Sequence, residues 1–161
     1  MAFLLDRLDI ELLNLIQADS QLTANTLSEK VSLSPSAALR RLNKLREAGV
    51  IARESAVVSD EFIKNRVSGL VLVQMNRHSP EVVMALKRQL AERPEVQLMF
   101  EIAGAFDMML LIVERDMPAF VALTDKLLAS SPYVARFEIS FVKSRIKSTL
   151  AVPIDLRDAT R

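Results

Sequence analysis

One stretch of this chain decides the fold of its first third. It reads Leu33-Ser34-Pro35-Ser36, then Arg40-Arg41-Leu42-Asn43-Lys44-Leu45-Arg46, then Gly49-Val50-Ile51. Ser34 can accept a hydrogen bond from a first-turn amide, and Pro35 lacks the amide that the first helical position leaves unpaired. Gly49 can adopt the left-handed conformation that closes a helix. The stretch therefore predicts a helix that starts at Ser34 and ends at Gly49.

The predicted helix has an apolar face and a cationic face. At about 100° per residue, Ala38, Leu42 and Leu45 fall together, with Leu39 at the edge of that face. The opposite face carries Ser36, Arg40, Asn43, Lys44 and Glu47. No acidic residue precedes Glu47 in this helix, so the face suits contact with a polyanion. A charged helix face is more often only a solvated surface, and from this feature alone that alternative stays open.

The segment before this helix favours DNA binding. Thr23 can cap a short helix over 24–31, and only Ser32 and Leu33 separate that helix from Ser34. Two helices joined by so short a turn are typical of a helix-turn-helix, in which the second helix enters the major groove. An earlier helix over about 6–18 would complete a three-helix core, and the β-branched run 51–58 predicts a small wing.

The exposed side of the second helix supplies the predicted DNA contacts. We expect Ser36, Ala37 and Arg40 to meet base edges, because an arginine can grip guanine with two hydrogen bonds. The predicted phosphate anchors are Thr23, Arg41, Lys44 and the helix end at Ser34 and Pro35. For Arg41 and Arg46, the alternative is a salt bridge to Glu47 or to a neighbouring helix.

Composition limits what the chain can be. Of its 161 residues, 50% are hydrophobic, enough for one moderate core or two small ones. The net charge is only +1, and residues 1–58 hold seven Lys or Arg against seven Asp or Glu. DNA binding would therefore depend on where the cations lie rather than on bulk charge.

Several absences favour a soluble, cytoplasmic protein. There is no cysteine, hence no disulfide and no thiolate metal site. Asp6 comes too early for a signal peptide, and no apolar run approaches the roughly 20 residues that span a bilayer. A single histidine, His78, is more simply a surface loop residue than a metal ligand or a catalytic base. We expect no enzyme activity, no metal and no cofactor.

The pattern changes near Ser59. The polar segment 59–65 is the predicted hinge between a DNA-binding domain, 1–58, and a second domain, 66–161. The second domain reads as strand 66–76, a helix from Ser79 or Pro80 to Arg93, strands 96–103 and 106–114 around a turn at Gly104-Ala105, helix 117–130 and strand 133–143. This β-α-β-β-α-β order predicts a ferredoxin-like α+β domain with both helices on one face of an antiparallel sheet.

The other face of that sheet lacks a cover in the predicted fold. Phe100, Ile102 and the apolar run 108–113 supply more hydrophobic strand surface than two short helices can hide. Because a large exposed apolar patch is rare on a soluble monomer, we infer a homodimer whose sheets pack face to face. Such a dimer would present two recognition helices to a pseudo-palindromic site.

Five motifs together resemble the Lrp/AsnC, or feast/famine, family of transcriptional regulators. In order they are Leu5-Asp6-Arg7-Leu8-Asp9, Leu33-Ser34-Pro35-Ser36, Leu39-Arg40-Arg41-Leu42, Gly104-Ala105-Phe106-Asp107 and Lys147-Ser148-Thr149-Leu150-Ala151-Val152-Pro153. The resemblance covers nearly the whole chain. It implies an N-terminal winged helix-turn-helix and a C-terminal sensing domain that dimerises, often assembles into tetramers or octamers, and responds to amino acids or related metabolites.

The hairpin turn is the candidate effector site. Gly104 lets a ligand approach the backbone, and Asp107 can accept hydrogen bonds from the ammonium group of an α-amino acid. The plainer alternative is a tight hairpin in which Asp107 caps local amides. The resemblance adds Ala105, Phe106, Ser140, Val142 and Leu98 or Met99 to this site. The family commonly has a polar residue where Ala105 stands, so the turn departs from the usual pattern.

Three functions remain open from the sequence. The first is a sequence-specific DNA-binding transcriptional regulator gated by a small effector. The second is an architectural DNA-binding protein with a vestigial effector site, which the departure at Ala105 keeps open. The third is a metabolic enzyme with a ferredoxin-like domain, which the cationic helix of 34–46 disfavours.

Overall fold

The computed structural model describes residues 4–59, 61–76 and 80–157, without the side chain of Val82. His78 and Ser79 lie outside the described residues. Contacts divide the chain into two compact units, Met1–Val57 with Lys147–Arg161, and Val58–Ile146. The second domain predicted from the sequence, 66–161, includes residues 147–161. The structure instead groups it with the first, because hydrogen bonds and an apolar side chain attach this segment to the first helix.

Three helices form the first unit. Helix α1 spans Arg7–Ala18, α2 spans Ala24–Lys30 and α3 spans Pro35–Glu47. Asp6, Thr23 and Ser34 cap them, each accepting a hydrogen bond from a first-turn amide. After α3, Gly49 has a φ of 72°, the left-handed conformation expected where this helix closes.

The apolar faces of these helices enclose a common core. The face predicted for α3, formed by Ala38, Leu42 and Leu45, is buried, and Leu39 lies at its edge with 48% exposure. The core also contains Leu12, Leu13, Ile16, Leu27 and Val31. Burial of side chains from all three helices holds α3 against α1 and α2.

The wing predicted over 51–58 is not a strand in this structure. Residues 52–59 have no regular secondary structure. β-Branched residues favour an extended backbone, but a strand forms only where a second segment pairs with its amides and carbonyls. Within the described part of the chain, no segment pairs with 52–59.

The second unit is a four-stranded sheet with two helices. Its elements are β1 (Val67–Met75), α4 (Pro80–Ala91), β2 (Val96–Glu101), β3 (Met108–Glu114), α5 (Met117–Thr124) and β4 (Val134–Phe141). The strand order is β2-β3-β1-β4, and every neighbouring pair is antiparallel. The predicted β-α-β-β-α-β fold is confirmed, although α5 continues as a π-helical turn over Asp125–Ala129.

The two faces of the sheet differ in what covers them. Val71, Val73, Met108, Leu110 and Ile112 pack with α4 and α5 in the core. The apolar run 108–113 is therefore shared between faces rather than left open along its length. On the opposite face, the register pairs Leu70 with Leu111, Leu72 with Met109, and Phe100 with Met109. Leu70 and Phe100 remain 38% and 47% exposed.

Gly69 tests how tightly α5 packs on the sheet. A Cβ at this position would lie 2.5 Å from Cζ of Phe120, whose side chain is fully buried. We expect Gly69→Ala to lower the free energy of unfolding by about 1–3 kcal/mol, because the added methyl group would overlap a fully buried ring. Urea denaturation measures this change.

Gly104→Ala is the matched control for this substitution. A Cβ at Gly104 would meet no atom within 4 Å, and its φ is not positive. This variant should unfold at the same urea concentration as the wild type. Equal stability of the two variants would contradict the packing argument.

Candidate functional site

Helix α3 presents the predicted cationic face to solvent. Ser36, Arg40, Asn43 and Lys44 are all exposed, and Ala37 is half-buried beside them. Arg40 makes no ion pair with any residue that the structure describes. Its guanidinium therefore needs no rearrangement within the protein before it meets a base edge.

The amino end of α3 offers a small cluster of hydrogen-bonding groups. The Ser34 Oγ accepts the amide of Ala37 at 3.2 Å and lies 3.2 Å from the Oγ of Ser36. Because Pro35 has no amide and the Ala37 amide is bonded to the cap, a phosphate here would meet the Ser36 amide and the two hydroxyls. The geometry suits the anchoring role predicted for this helix end.

Thr23 caps the other helix of the motif. Its Oγ1 accepts the amide of Thr26 at 3.2 Å and lies 2.9 Å from the Thr26 hydroxyl. The side chain remains exposed, so a phosphate contact from Thr23 would be made in addition to its capping bond.

Arg41 is held inside the first unit rather than presented with Arg40. Its Nη1 donates to Oδ2 of Asp6 at 2.7 Å and to Oδ1 of Asp9 at 2.8 Å. The Asp9 side chain is only 10% exposed, and that of Arg41 is 30% exposed. This is the salt bridge to a neighbouring helix that the sequence left open as the alternative for Arg41. Both bonds use Nη1, so the predicted phosphate contact stays a prediction and would be made by Nε or Nη2.

The contacts among Asp6, Asp9 and Arg41 shift the pKa values of Asp6 and Arg41. Burial alone would raise the pKa of Asp6, but the amide of Asp9 and the guanidinium of Arg41 outweigh it and hold that pKa below its usual range. Hydrogen bonds to Asp9 and then to Asp6 raise the pKa of Arg41. Both partners are therefore ionised at neutral pH, and the link between α1 and α3 is a charged one.

Arg46 is also engaged within the protein. Its Nη2 lies 2.8 Å from Oε1 of Glu54, and its Nη1 donates to Oδ1 of Asn43 at 3.2 Å. The salt bridge considered from the sequence is present, but the acid is Glu54 and not Glu47. Glu54 follows α3 along the chain, so the bridge ties that segment back to the helix.

The carboxylate of Asp107 accepts a main-chain amide, but from β1 and not from the local turn that the plainer alternative described. Its Oδ2 accepts the amide of Met75 at 2.6 Å, and its own amide donates to the carbonyl of Val73 at 2.9 Å. The strands end at Glu101 and Met108, so the connection over 102–107 is longer than the predicted two-residue turn. Asp107 therefore holds this loop against the end of β1.

A cavity of about 260 Å³ opens beside Asp107 on the helix side of the sheet. It is lined by Met75, Asn76, Val83, Lys87, Glu101, Asp107 and Met108. Lys87 forms a salt bridge with Glu101 across it. The cavity thus combines two carboxylates, one ammonium group, one amide and an apolar wall. Its volume lies just below the roughly 300–1,000 Å³ of drug-sized ligand sites, which suits a small metabolite.

Only part of this cavity was predictable from the sequence. Of the predicted effector residues, Asp107 alone lines it, and Asn76, Lys87 and Glu101 were not predicted. The sequence contained one signal for this cavity. Lys87 lies four positions after Val83, which places both on the same side of α4, the side that faces the sheet. Glu101 gave no signal, because its proximity to Lys87 arises from the packing of α4 against β2.

The other predicted effector residues are distributed along the sheet. Gly104 and Ala105 are exposed in the loop, and the ring of Phe106 lies 4.9 Å from the guanidinium carbon of Arg136. Leu98 and Met99 point to opposite faces of β2, with Met99 packed against the core.

Ser140 and Val142 lie far from the hairpin loop within one chain. Ser140 pairs with Leu70, and the Val142 amide donates to the carbonyl of Ser68. Asp107 instead bonds Val73 and Met75. At about 3.3 Å per residue along β1, Leu70 and Met75 are roughly 16 Å apart. A site containing both groups of residues would require a second copy of the chain.

The described residues contain no group of three or more His, Cys, Asp or Glu side chains placed to hold a metal ion. None of their helices is long and apolar enough to cross a membrane.

Known families match both units. Residues 5–52 match the family model for winged helix-turn-helix DNA-binding domains, and residues 68–152 match that for the Lrp/AsnC ligand binding domain. An uncharacterized HTH-type transcriptional regulator of Sinorhizobium fredii is 33% identical over 94% of this chain and 90% of its own length.

Solved structures show the same architecture. An AsnC family transcriptional regulator from Agrobacterium tumefaciens superposes with a TM-score of 0.84 at 30% identity, covering 92% of this chain and 97% of that one. A transcriptional regulator from Neisseria meningitidis, solved as a complex with L-Met, also has a TM-score of 0.84. It is 32% identical, with 92% and 96% coverage.

Arg40 and Arg41 are neighbours in sequence with different environments, which makes them a matched pair. We expect Arg40→Ala to weaken binding to the cognate DNA site by about 1–3 kcal/mol and to relax specificity, with unchanged thermal stability. We expect Arg41→Ala to lower the free energy of unfolding by about 1–3 kcal/mol, because Asp9 is left buried without its cation. Fluorescence anisotropy and urea denaturation measure the two effects. Equal loss on random DNA would argue against base reading by Arg40.

The charged link also predicts a pH dependence. Since the pKa of Asp6 is lowered on folding, its contribution to stability is present above the unfolded pKa of about 3.9 and is lost as pH falls through the folded pKa. Asp6→Asn keeps an acceptor for the cap but removes the charge. The difference in unfolding free energy between wild type and this variant should be constant from about pH 5 to 7 and shrink below about pH 4. A difference that does not change with pH would contradict the charged link.

Proposed function

The chain belongs to the Lrp/AsnC family of transcriptional regulators, and on that premise we propose that it binds DNA sequence-specifically under the control of an amino acid or a related metabolite. It is a transcriptional regulator with a helix-turn-helix DNA-binding unit and a ligand-binding unit, and its relatives are regulators rather than enzymes. Double-stranded DNA is its macromolecular partner in this proposal, and the cytoplasm is its site of action.

The observation that carries the DNA-binding proposal is the opposite placement of Arg40 and Arg41. Arg40 is exposed on α3, whereas Arg41 is bonded to two carboxylates of the neighbouring helix end. The salt bridges attach α3 to α1, and the exposed face beside them carries Ser36, Arg40 and Lys44. A rigidly held helix with this face suits direct reading of bases in the major groove.

The chemistry of the cavity supports an α-amino acid as effector. An ammonium group suits the carboxylates of Asp107 and Glu101, and a carboxylate suits Lys87. Glu101 is 75% exposed on its side chain, so it can release Lys87 to an incoming carboxylate at small cost. Met75, Val83 and Met108 would contact an apolar side chain. The relative from Neisseria meningitidis solved with L-Met supports the same class of ligand.

A homodimer follows from the uncovered sheet face. Leu70, Leu72, Leu98, Phe100 and Met109 form an apolar surface that no element of the described second unit covers. We propose that a second copy covers it and that further assembly into a tetramer or octamer brings Ser140 and Val142 of one chain near the hairpin loop of another. Such assembly would present α3 as symmetric pairs to DNA.

In this proposal the effector controls DNA binding by changing how copies of the chain assemble. An effector held at the sensing units would favour one arrangement of copies, and the segment of 59–65 would carry that change to the spacing of the recognition helices. The ligand must bind one arrangement more tightly than the other, because only differential affinity shifts an equilibrium.

An architectural DNA-binding role is the second candidate. Ala105 stands where the resemblance to the family implies a polar residue, and one oxygen of Asp107 is already bonded to the Met75 amide. Both observations favour a loop whose effector site has been lost. Such a protein would bind DNA with the same affinity at every amino-acid concentration.

Thermal unfolding against each of the twenty amino acids separates the two candidates. An effector at about 100 times its Kd stabilises the native protein by about 2.7 kcal/mol, which raises the Tm of a chain this size by several degrees. We expect at least one amino acid to do so. No shift with any amino acid would favour the architectural role.

Two variants locate the site of that shift. Asp107→Asn retains an oxygen for the Met75 amide but loses the charge, and Lys87→Met loses the ammonium group while retaining an apolar stem. We expect each variant to fold normally and to lose the thermal shift. Retention of the shift in both would place the effector elsewhere. Selection of DNA from a random pool, with and without the active amino acid, then identifies the operator.

A further inference from the structure

The segment over residues 147–157, here called the C-terminal strap, lies along α1 of the DNA-binding unit. Its main chain is held by two side-chain amides. Nδ2 of Asn14 donates to the carbonyl of Ile154 at 2.8 Å, and the Ile154 amide donates back to Oδ1 of Asn14 at 3.1 Å. Gln17 makes the same pair of bonds with Val152, at 2.9 and 2.8 Å.

These four bonds make α1 act like the edge of a sheet. Residues three apart on a helix are neighbours on its surface, as Asn14 and Gln17 are. In an extended segment, alternate residues turn their amide and carbonyl toward the same side, as Val152 and Ile154 do here. Each side-chain amide therefore satisfies both main-chain groups of one strap residue. The strap is thus bound in the way that an added strand is bound at the edge of a sheet, except that side-chain amides replace the main chain of a partner strand.

Pro153 and Ile154 suit the strap to this position. Pro153 lies between the two bonded residues, where no amide is required, and it restricts Val152 to an extended backbone. Both effects reduce the conformational entropy lost when the strap docks. The Ile154 side chain packs, half-buried, against the core of the three helices. The main-chain bonds set the position of the strap, and Ile154 anchors it.

The strap is linked to both functional parts of the protein, covalently to the sheet and by hydrogen bonds to α1. It follows β4 of the ligand-binding unit after only residues 142–146. It is bonded to α1, and the amino end of α1 holds Arg41 of α3 through Asp6 and Asp9. The DNA-binding unit is therefore tethered to the sheet twice, by 58–66 before β1 and by the strap after β4.

We propose that the C-terminal strap is a reversible docking element that holds α1, and through Arg41 the recognition helix, in the DNA-reading position. All four of its amide bonds are solvent-exposed, and Ile154 is its one residue packed in the core among those described. A segment with so few buried contacts opens before the unit it docks on unfolds. Because the strap continues the chain from β4, its undocking would lengthen the free connection between the ligand-binding unit and α1.

The double variant Asn14→Ala/Gln17→Ala tests the docking directly in the full-length protein. Hydrogen exchange at the amides of Val152 and Ile154 should become at least about tenfold faster, because both lose their acceptors and the strap opens more often. Exchange of core amides in α1 and β1 should stay at wild-type rates, showing that both units remain folded. Unchanged exchange at the two strap amides would overturn the docking.

DNA affinity tests the positioning role with the same variant. Binding to a duplex selected by the wild-type protein should weaken several-fold, while the slope of log K against log salt stays unchanged, because no phosphate contact is removed. An affinity equal to that of the wild type would overturn the proposal. A changed slope would overturn it as well, since it would make Asn14 or Gln17 a phosphate contact.

Two further variants separate docking from general effects of substitution. Gln21→Ala removes an exposed amide side chain near α1 that makes no hydrogen bond with a described residue, and it should leave strap exchange at the wild-type rate. Pro153→Gly keeps the groups that form all four hydrogen bonds but makes the backbone more flexible. Exchange at the amides of Val152 and Ile154 should therefore be intermediate between the wild type and the double variant. Wild-type exchange in Pro153→Gly, or fast exchange in Gln21→Ala, would contradict docking through an extended strap.

Discussion

The buried carboxylate of Asp9 is the constraint on which the DNA-binding unit depends. A charge so deeply buried is tolerated only with a partner, and Arg41 reaches it from another helix. Asp6 shares the same guanidinium and caps α1. The orientation of α3 relative to α1 is therefore set by electrostatics as well as by the apolar core. With Arg41 turned inward, its neighbour Arg40 is turned to solvent, where a duplex can meet it.

The two faces of the sheet in the ligand-binding unit arise because successive side chains of a strand point to opposite sides. Alternate residues of β1 and β3 pack against α4 and α5, and the residues between them form a second apolar surface. That surface is the physical reason to propose a dimer. The cavity at the end of the sheet has a different origin, because α4 lies over the ends of β1 and β2 and brings Lys87 to Glu101. One sheet thus has an uncovered apolar face and, at one end, a cavity lined by charged groups.

The two units match two family models, and structures at about 30% identity share the whole architecture. This likeness identifies the class of protein. The roles of particular residues are proposals that go beyond this likeness: Arg40 for base reading, Lys87 and Asp107 for a zwitterion, and Asn14 and Gln17 for the strap. Within the first unit, the charge-assisted bonds of Arg41 to Asp6 and Asp9 are stronger than the exposed amide pairs of the strap.

Local interactions in the sequence determined the helix caps, the apolar face of α3 and the order of helices and strands along the chain, because these depend on residues within a few positions of one another. The family was identified from five short motifs in a fixed order. The predicted wing was not found as a strand, since a strand needs a partner that the segment itself does not contain. Only the tertiary structure decided that Arg41 pairs with Asp9, 32 positions away, and that Asn14 bonds Ile154, 140 positions away. Such long-range pairs form when distant elements pack together, so they cannot be predicted from the spacing of residues along the chain.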